Sequence, residues 1–447
     1  MTINYFVSNE NIPNDGSKRI LDIFEKNIDF DKTEIYIFPD VHYKKGARVV
    51  NGMLIKSDKF IYPACLGVEN CGFTFGIIDN TENSLIKSFD NFSKVLKPHQ
   101  SLNDFSKNDL YNLFEKYLLK DFDINNHLYQ FCGITTFKNA CKTAKKVFTK
   151  KILKTSCSSL GSLGGGNHFF EIHKIIENFD ANSPFQNNKF IFILHSDSIA
   201  FGDAINLRYS NLSELDFIKN TKTGKRKICK TRIRQFLYFF KKGFFIKDFK
   251  NTYNLLYSQK DYRTIPFDSI IGKSLIFEHH LATLFGEMNR DLIIEYWQKQ
   301  NNLNIKIIGS HNHDSLTLEK QGCNNLSIIH RNGVQYLNSD EYYMLPSAMG
   351  NYSYILKNPR NREAFYSANH GTGRMKDKHI ARENYTEKET INDLENKRIK
   401  FYHIGNGNIA EQSLKAFKSI DTVLSDMKKY NLGSKVAKTM PILIMKG

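Results

Sequence analysis

No stretch of this chain approaches the run of about 20 apolar residues that a membrane-spanning helix requires. Its first residues, MTINYFVSNENIPNDG, lack the basic region followed by an apolar core that marks a secretory leader. The seven cysteines (Cys65, Cys71, Cys132, Cys141, Cys157, Cys229 and Cys323) are odd in number, scattered, and include no CxxC pair. That pattern argues against a disulfide framework and against a ribbon-type zinc site, so any functional cysteine would act singly. Neither an internal repeat nor a long low-complexity linker is present. Negative charge is also scarce, with 46 acidic residues against 63 basic ones and a net charge of +17. These absences predict a soluble intracellular protein of the cytoplasm with no membrane association.

The 447 residues suffice for a large core, and a composition 41% hydrophobic and 24% charged is that of a globular protein. One elaborated domain spanning 1–447 is expected. An excess of positive charge most often means attraction to polyanions such as nucleic acid, although lysines can also merely solvate a surface. The clearest shift in composition runs from Asn220 to Asn251, NTKTGKRKICKTRIRQFLYFFKKGFFIKDFKN. Basic groups there could meet phosphates while aromatics stack on bases; equally, the segment could be an amphipathic helical insertion whose rings pack inward. Apolar, β-branched runs predict strands at EIYIFPD, KFIFILHS and IKIIGSH. Helical periodicity is clearer in FEHHLATLFGEMNRDLIIEYW and in IAEQSLKAFKSIDTVLSDMKKY. Strands and helices do not alternate regularly, so the expected class is α+β rather than doubly wound, with a sheet core surrounded by helices.

Three predicted strands end alike. EIYIFPDVH delivers Asp40 and His42, KFIFILHSDS delivers His195, and IKIIGSHNH delivers His311 and His313. A sheet that repeatedly places polar side chains at strand ends is building one site there. LGSLGGGNHFFEI adds His168 and Glu171 behind a glycine run, and CLGVENCGF adds Glu69 beside Cys71. Imidazoles, a thiolate and carboxylates are the groups that bind divalent transition metals, and ligand softness alone suggests zinc. Further on, FYSANHGTGRMKDKH sets His370 against Gly371 and Gly373, with Arg374, Lys376 and Lys378 behind it. Glycines let backbone approach a ligand and the cations favour phosphate, so this stretch reads as an anion site or as a plain surface turn.

Taken in order, these segments resemble the RtcB family of RNA-splicing ligases over nearly the whole chain. PDVHYKKG is similar to the family's PDVHxGxG, YPACLGVENCGF to PAAVGVDIxCG, LGSLGGGNHFFE to LGTLGxGNHFxE, and LHSDSIAFGD to LHSGSRGxG. HNHDS resembles HNY, HRNGVQ resembles RKGA, LPSAMGNYSYIL resembles IPGSMGxxSYxV, ANHGTGRM resembles SHGAGRxM, and MPILIMKG resembles the terminal xxVxKG. The resemblance implies that His370 is the nucleophile that GTP guanylylates. It implies metal ligation by Cys71, His168, His195 and His311, with Glu69 where the family has Asp, and manganese, usually a pair of ions, in place of zinc. It further implies guanylate contacts from Asn167, Glu171, Asn312, Ser347, Gly371, Gly373, Arg374 and Lys446, with Asp40, His42 and Lys378 nearby. The implied partner is RNA with a 2′,3′-cyclic phosphate or 3′-phosphate on one end and a 5′-hydroxyl on the other, in RNA repair or tRNA splicing, with room for an activating protein partner.

The chain departs from the family pattern inside the site. GVENCG is one residue shorter than GVDIxCG, the family Arg of HSGSRG is Ile199, a glycine after DVH is Lys44, PGSMG appears with Ser347-Ala348, and a second Arg after HGAGR is Lys378. Isoleucine cannot pair with an anion, so the RNA-facing residues are altered more than the metal and guanylylation residues. Three readings follow: a GTP- and manganese-dependent RNA ligase, a metal-dependent phosphoesterase that opens cyclic phosphates without sealing, and a non-catalytic RNA-binding protein on the same scaffold.

Overall fold

The computed structural model describes residues 2–14, 16–26, 33–43, 49–66, 70–209, 222–257, 264–321, 325–337 and 342–447, with side chains from 229 onward in the helix that starts at Lys222. Two main β-sheets and two further two-stranded pairs, with helices around them, give an α+β architecture. The larger sheet runs Tyr342–Leu345, Ser353–Lys357, Ser434–Lys446, Phe169–Asn178, Phe190–Ser196, Gly72–Ile78 and Ile305–Asn312, each antiparallel to the next, and Lys400–His403 adds to Ser434–Lys446. The smaller sheet runs Thr2–Tyr5, Thr33–Tyr43, Val50–Ser57, Asn325–Asn332 and Asp314–Gln321.

All three expected strands are present: Thr33–Tyr43, Phe190–Ser196 and Ile305–Asn312. FIFILHS is buried at every residue, which is why it reads as an unbroken apolar run. The three do not share one sheet, however. The strand carrying Asp40 lies in the smaller sheet. The sheets meet across a core in which Tyr36, Leu54 and Ile329 of the smaller sheet pack with Tyr343, Leu345 and Tyr354 of the larger.

The helix expected over 277–297 extends to Ile270–Asn301, with Ser269 as its N-cap and Asn302 closing it in the left-handed region. One face packs Phe277, Phe285 and Met288 against the helices Lys107–Asp121 and Phe137–Val147, and its far end sets Trp297 against Phe170 and Phe192 of the larger sheet. The second expected helix is only half helical. Ile420–Lys429 is an α-helix, but 409–416 forms two short 3₁₀ turns. Beside its short-range turn bonds, the backbone there also bonds outward: Met375 and Lys376 donate to the Ala416 carbonyl, and Lys418 donates to that of Gly373. Tertiary pairing with the loop behind His370 thus overrides helical periodicity.

The basic insertion is helical, in Lys222–Lys241, Phe244–Lys247 and Phe249–Tyr257; Asn220 and Thr221 lie outside the described residues. Phe239 is buried against Tyr209, and Gln235 donates to the Leu207 carbonyl at 2.9 Å. The anchor is Glu278 of the long helix, which accepts from Arg208 Nη1 at 2.6 Å, from the Tyr238 hydroxyl, and faces Lys242 Nζ at 3.7 Å. Removing one partner of a buried pair strands the others, so Glu278→Ala is expected to cost about 3–5 kcal/mol. Urea unfolding would measure this, and a loss below about 1 kcal/mol, the range of an exposed pair, would show that Glu278 does not anchor the insertion.

Candidate active site

Antiparallel pairing explains how distant segments converge. Because Gly72 lies opposite both Ser196 and Asn312, and Phe169 opposite His195, the starts of two strands and the ends of two others share one edge of the larger sheet. Cys71 and His168 immediately precede the first pair; His195 and His313 fall at the ends of the second. Cys71 Sγ lies 3.4 Å from His168 Nε2, and the His168 and His195 rings are 4.9 Å apart. Among the described residues, two sets of side chains have ligand atoms all within 4.8 Å of one another: Cys71, His168 and His195, and Cys71, His313 and Asp314. Cys71 belongs to both.

This donor set suits a transition metal. Burial, and next the neighbouring His168, hold the His195 imidazole well below its ordinary pKa, in the neutral form that can ligate. His195 Nε2 is buried with no hydrogen-bond partner among the described residues, as an atom kept for a ligand would be. Asp197, one residue past Ser196, places its carboxylate 3.8 Å from His168 Nε2.

His311, expected as a ligand, turns elsewhere: its Nε2 lies 3.0 Å from the Tyr342 carbonyl, and it belongs to neither set. The strand ends at Asn312, and the backbone then crosses Cys71, where His313 N–H donates to the Cys71 carbonyl at 2.9 Å. His313, rather than His311, therefore enters the cluster, with its ring 5.0 Å from that of His195 and 4.8 Å from that of His370. Asn312, expected to touch guanylate, points to the opposite side and bridges Arg290 (2.9 Å) and Glu287 (2.8 Å). Glu69 lies outside the described residues.

His370 follows the short strand Ser367–Asn369, which pairs with Val334–Tyr336. Buried Arg331 braces that strand through Ser367 Oγ (2.9 Å) and the Phe365 carbonyl (3.0 Å), and Asn369 Nδ2 closes the turn on the Gly371 carbonyl at 2.8 Å. Gly373, at φ 72°, sits so close to Asp40 that a Cβ would lie 2.2 Å from the Asp40 carbonyl oxygen. Asp40 reaches across from the smaller sheet: its Oδ2 lies 2.6 Å from His370 Nδ1 and 3.2 Å from the His370 N–H. The Gly333 carbonyl is 2.7 Å from the same Nδ1. Two acceptors on one ring nitrogen place the proton on Nδ1, leaving the Nε2 lone pair for chemistry. Burial opposes a charge on His370, but the hydrogen bond and charge of Asp40 outweigh it and raise the imidazole above its ordinary pKa.

A cleft of about 980 Å³ opens over this apparatus. Of the expected residues, His42, Asn167, His168, Glu171, His195, Ser347, His370, Gly371, Gly373, Arg374, Lys378 and Lys446 line it. Arg374 stacks on Phe417, donates Nη1 to the Glu411 carbonyl at 2.7 Å, and keeps Nη2 buried with no partner among the described residues. Burial lowers the Lys446 ammonium to about 7, against the opposing pull of Glu171. Cations arranged in this way await an anion. Ile199 also lines the cleft, at φ 52°, a conformation costly for a β-branched residue. The residues missed at the sequence level are Asp197, Asp314 and Glu411, which faces Lys378 at 3.7 Å; LHSDS and HNHDS carry the first two in plain sight.

Comparisons with known proteins agree over most of the chain. The family model described as tRNA-splicing ligase RtcB matches residues 26–447. Among curated relatives, the tRNA-splicing ligase RtcB of Aeropyrum pernix is 22% identical over 324 residues, 66% of this chain and 60% of that protein. The RNA-splicing ligase RtcB of Mycobacterium tuberculosis is 21% identical over 339 residues, 70% of each chain, and the tRNA-splicing ligase RtcB of Thermococcus kodakarensis is 22% identical over 327 residues, 67% of this chain and 62% of that protein. With a match that spans all but its first 25 residues, the chain belongs to the RtcB family.

Proposed function

We propose that this protein is a GTP- and manganese-dependent RNA ligase that joins a 3′-phosphate or 2′,3′-cyclic phosphate end to a 5′-hydroxyl end through a His370–GMP intermediate. The observation that carries this reading is His370 itself: its Nδ1 is pinned by Asp40 and Gly333, its other nitrogen is left as a nucleophile, and it stands in a cleft that Arg374, Lys378 and Lys446 also line. Membership of a family described as tRNA-splicing ligases supports the reaction class.

In the proposed sequence, His370 Nε2 attacks the α-phosphorus of GTP. A P–N bond forms, the bond from that phosphorus to the β-phosphate oxygen breaks, and pyrophosphate leaves. An oxygen of the RNA 3′-phosphate then takes the GMP, which returns the lone pair to Nε2. Attack of the 5′-hydroxyl on the 3′-phosphorus, with loss of its proton, expels GMP and seals the strand. A cyclic phosphate must first be opened by water. Cys71, His168, His195, His313 and Asp314 would hold the metal, two manganese ions in this reading, which when bound neutralises phosphate charge and polarises phosphorus. Arg374, Lys378 and Lys446 hold the phosphates, and Glu171 accepts from the guanine edge, favouring GTP over ATP. The excess of basic residues holds RNA by its phosphates.

Ile199 in place of an anion-binding Arg favours one other reading, opening of cyclic phosphates without sealing. Incubation with Mn²⁺, α-labelled GTP and RNA bearing the two end types separates them. A labelled protein and a sealed product are expected; cyclic-phosphate opening without either would replace ligation with the phosphoesterase reading.

Lys446 supplies a further check. An ammonium held near 7 is mostly neutral at about pH 8, and a bound triphosphate raises it again, so GTP binding should draw in a proton. Calorimetry in buffers of different ionisation enthalpy should show that uptake. Lys446→Met should abolish it and weaken GTP about tenfold or more, the loss of one charge-assisted hydrogen bond. Unchanged affinity and unchanged uptake would remove Lys446 from the phosphate site.

A further inference from the structure

The helical insertion carries an unbroken row of aromatic rings, most of which its own core does not use. Phe240, Phe236, Phe245, Phe249, Tyr253 and Tyr257 follow one another with successive ring centroids 6.0, 5.2, 6.2, 5.8 and 4.9 Å apart. Phe245 is half-buried and the other five are exposed. The five exposed rings are not those that dock the insertion; that task falls to Phe239, Phe244, Tyr238 and, in part, Phe245. Monomeric proteins rarely leave so continuous an apolar stripe on their surface without a partner for it.

The flanking charge identifies the partner. Between Cys229 and Tyr257 there are seven Lys and Arg residues and one acid, Asp248. Lys242 turns inward to Glu278, whereas Lys230, Arg232, Arg234, Lys241, Lys247 and Lys250 are exposed. Protein interfaces are depleted in lysine at their centres, while single-stranded nucleic acid is bound by interleaved aromatic platforms and cations. Position supports the same conclusion. The helix Ile199–Tyr209 has Ile199, Ala200 and Asp203 in the cleft wall, and its far end carries Leu207, Arg208 and Tyr209, on which the insertion docks. Eleven residues of helix span about 16 Å, so the row begins within reach of a strand a few nucleotides long emerging from the cleft.

We propose that this aromatic row is a binding track for single-stranded RNA, holding the unpaired stretch that adjoins the end entering the cleft. Bases would stack on the exposed rings and phosphates would meet the flanking cations, with little preference for sequence. The proposal rests on the RNA-joining reading of the cleft, and its test reads the two apart.

Full-length protein loaded with Mn²⁺ would be titrated against a fluorescent single-stranded oligoribonucleotide over a range of salt, beside two variants. One carries Phe236→Ala, Phe249→Ala and Tyr253→Ala; the other carries Lys230→Gln, Arg232→Gln and Arg234→Gln. The aromatic variant is expected to bind RNA roughly tenfold or more weakly. The charge variant should lower the slope of log affinity against log salt by about two. Formation of the labelled guanylate adduct, which reads the cleft alone, should be unchanged in both. Every substitution in the charge variant is at an exposed position, so it keeps the test valid if the aromatic variant fails to fold. Unchanged RNA affinity and slope would overturn the track while leaving the cleft reading intact, and loss of self-association or of binding to anionic lipid vesicles, with RNA binding unaffected, would overturn it in favour of that other occupant.

Discussion

Replacing His370 with alanine is expected to abolish transfer of label from α-labelled GTP to the protein, and with it all sealing of RNA. No other described side chain in the cleft presents a ring nitrogen whose opposite nitrogen is held by both a carboxylate and a carbonyl, at 2.6 and 2.7 Å. Asp40→Asn tests the same arrangement more gently. The amide can offer Nδ1 a donor where the ring needs an acceptor, which favours the wrong tautomer; adduct formation should persist but slow by about 10²–10⁴-fold, the usual contribution of one positioned acid–base group. The pH profile distinguishes this from simple loss of packing. Only the unprotonated ring attacks, so the rate should rise with pH as His370 loses its second proton, above the ordinary imidazole range because Asp40 raises that pKa. Without the carboxylate the rise should move to lower pH. A fully labelled His370→Ala protein would end the proposed mechanism, and an Asp40→Asn protein with an unmoved pH profile would reduce Asp40 to packing.

Cys71→Ser is expected to be the most damaging substitution for metal binding, because one sulfur serves both ligand sets. His168→Ala or Asp314→Asn removes a donor from one set; loss of the thiolate removes one from each. Plasma mass spectrometry after gel filtration should find the wild type loaded and Cys71→Ser nearly empty. Heating provides a readout that does not depend on activity: metal held at about a hundredfold above its dissociation constant adds about 2.7 kcal/mol to the folded state, a gain the variant should not show. Full occupancy in Cys71→Ser would mean that the ions sit elsewhere.

Much of this architecture is legible in the sequence because it depends on local pattern. The run FIFILHS can be little else than a buried strand, and FEHHLATLFGEMNRDLIIEYW little else than a helix with one core face. The segments that supply His168, His195 and His370 announce themselves by glycine and histidine at strand ends. What escaped depends on register and on contacts far apart in the chain. HNH offers two histidines to a single site, and only the point at which the strand stops, at Asn312, selects His313. Periodicity over 409–416 promises a helix, but the carbonyls of Glu411 and Ala416 are taken by the loop beyond His370, and the turns that form are only 3₁₀. Asp40 joins the other strand-end residues in the site, but it arrives from a second sheet, a fact that no window of sequence contains.

That last arrangement has a kinetic consequence. His370 and Asp40 are separated by 330 positions; of the candidate metal ligands, Cys71, His168 and His195 lie along the larger sheet, whereas Asp314 opens a strand of the smaller sheet, to which Asp40 also belongs. Local contacts cannot form such a pair early, since closing a loop of that length must await the collapse of nearly everything between. On refolding, secondary structure should return first, while the Cys71, His313 and Asp314 set and the Asp40–His370 pair, each joining segments of different sheets, should form last, when the sheets seat on one another. The Asp40–His370 pair is thereby a sensor of completed assembly, absent from any half-folded or truncated chain.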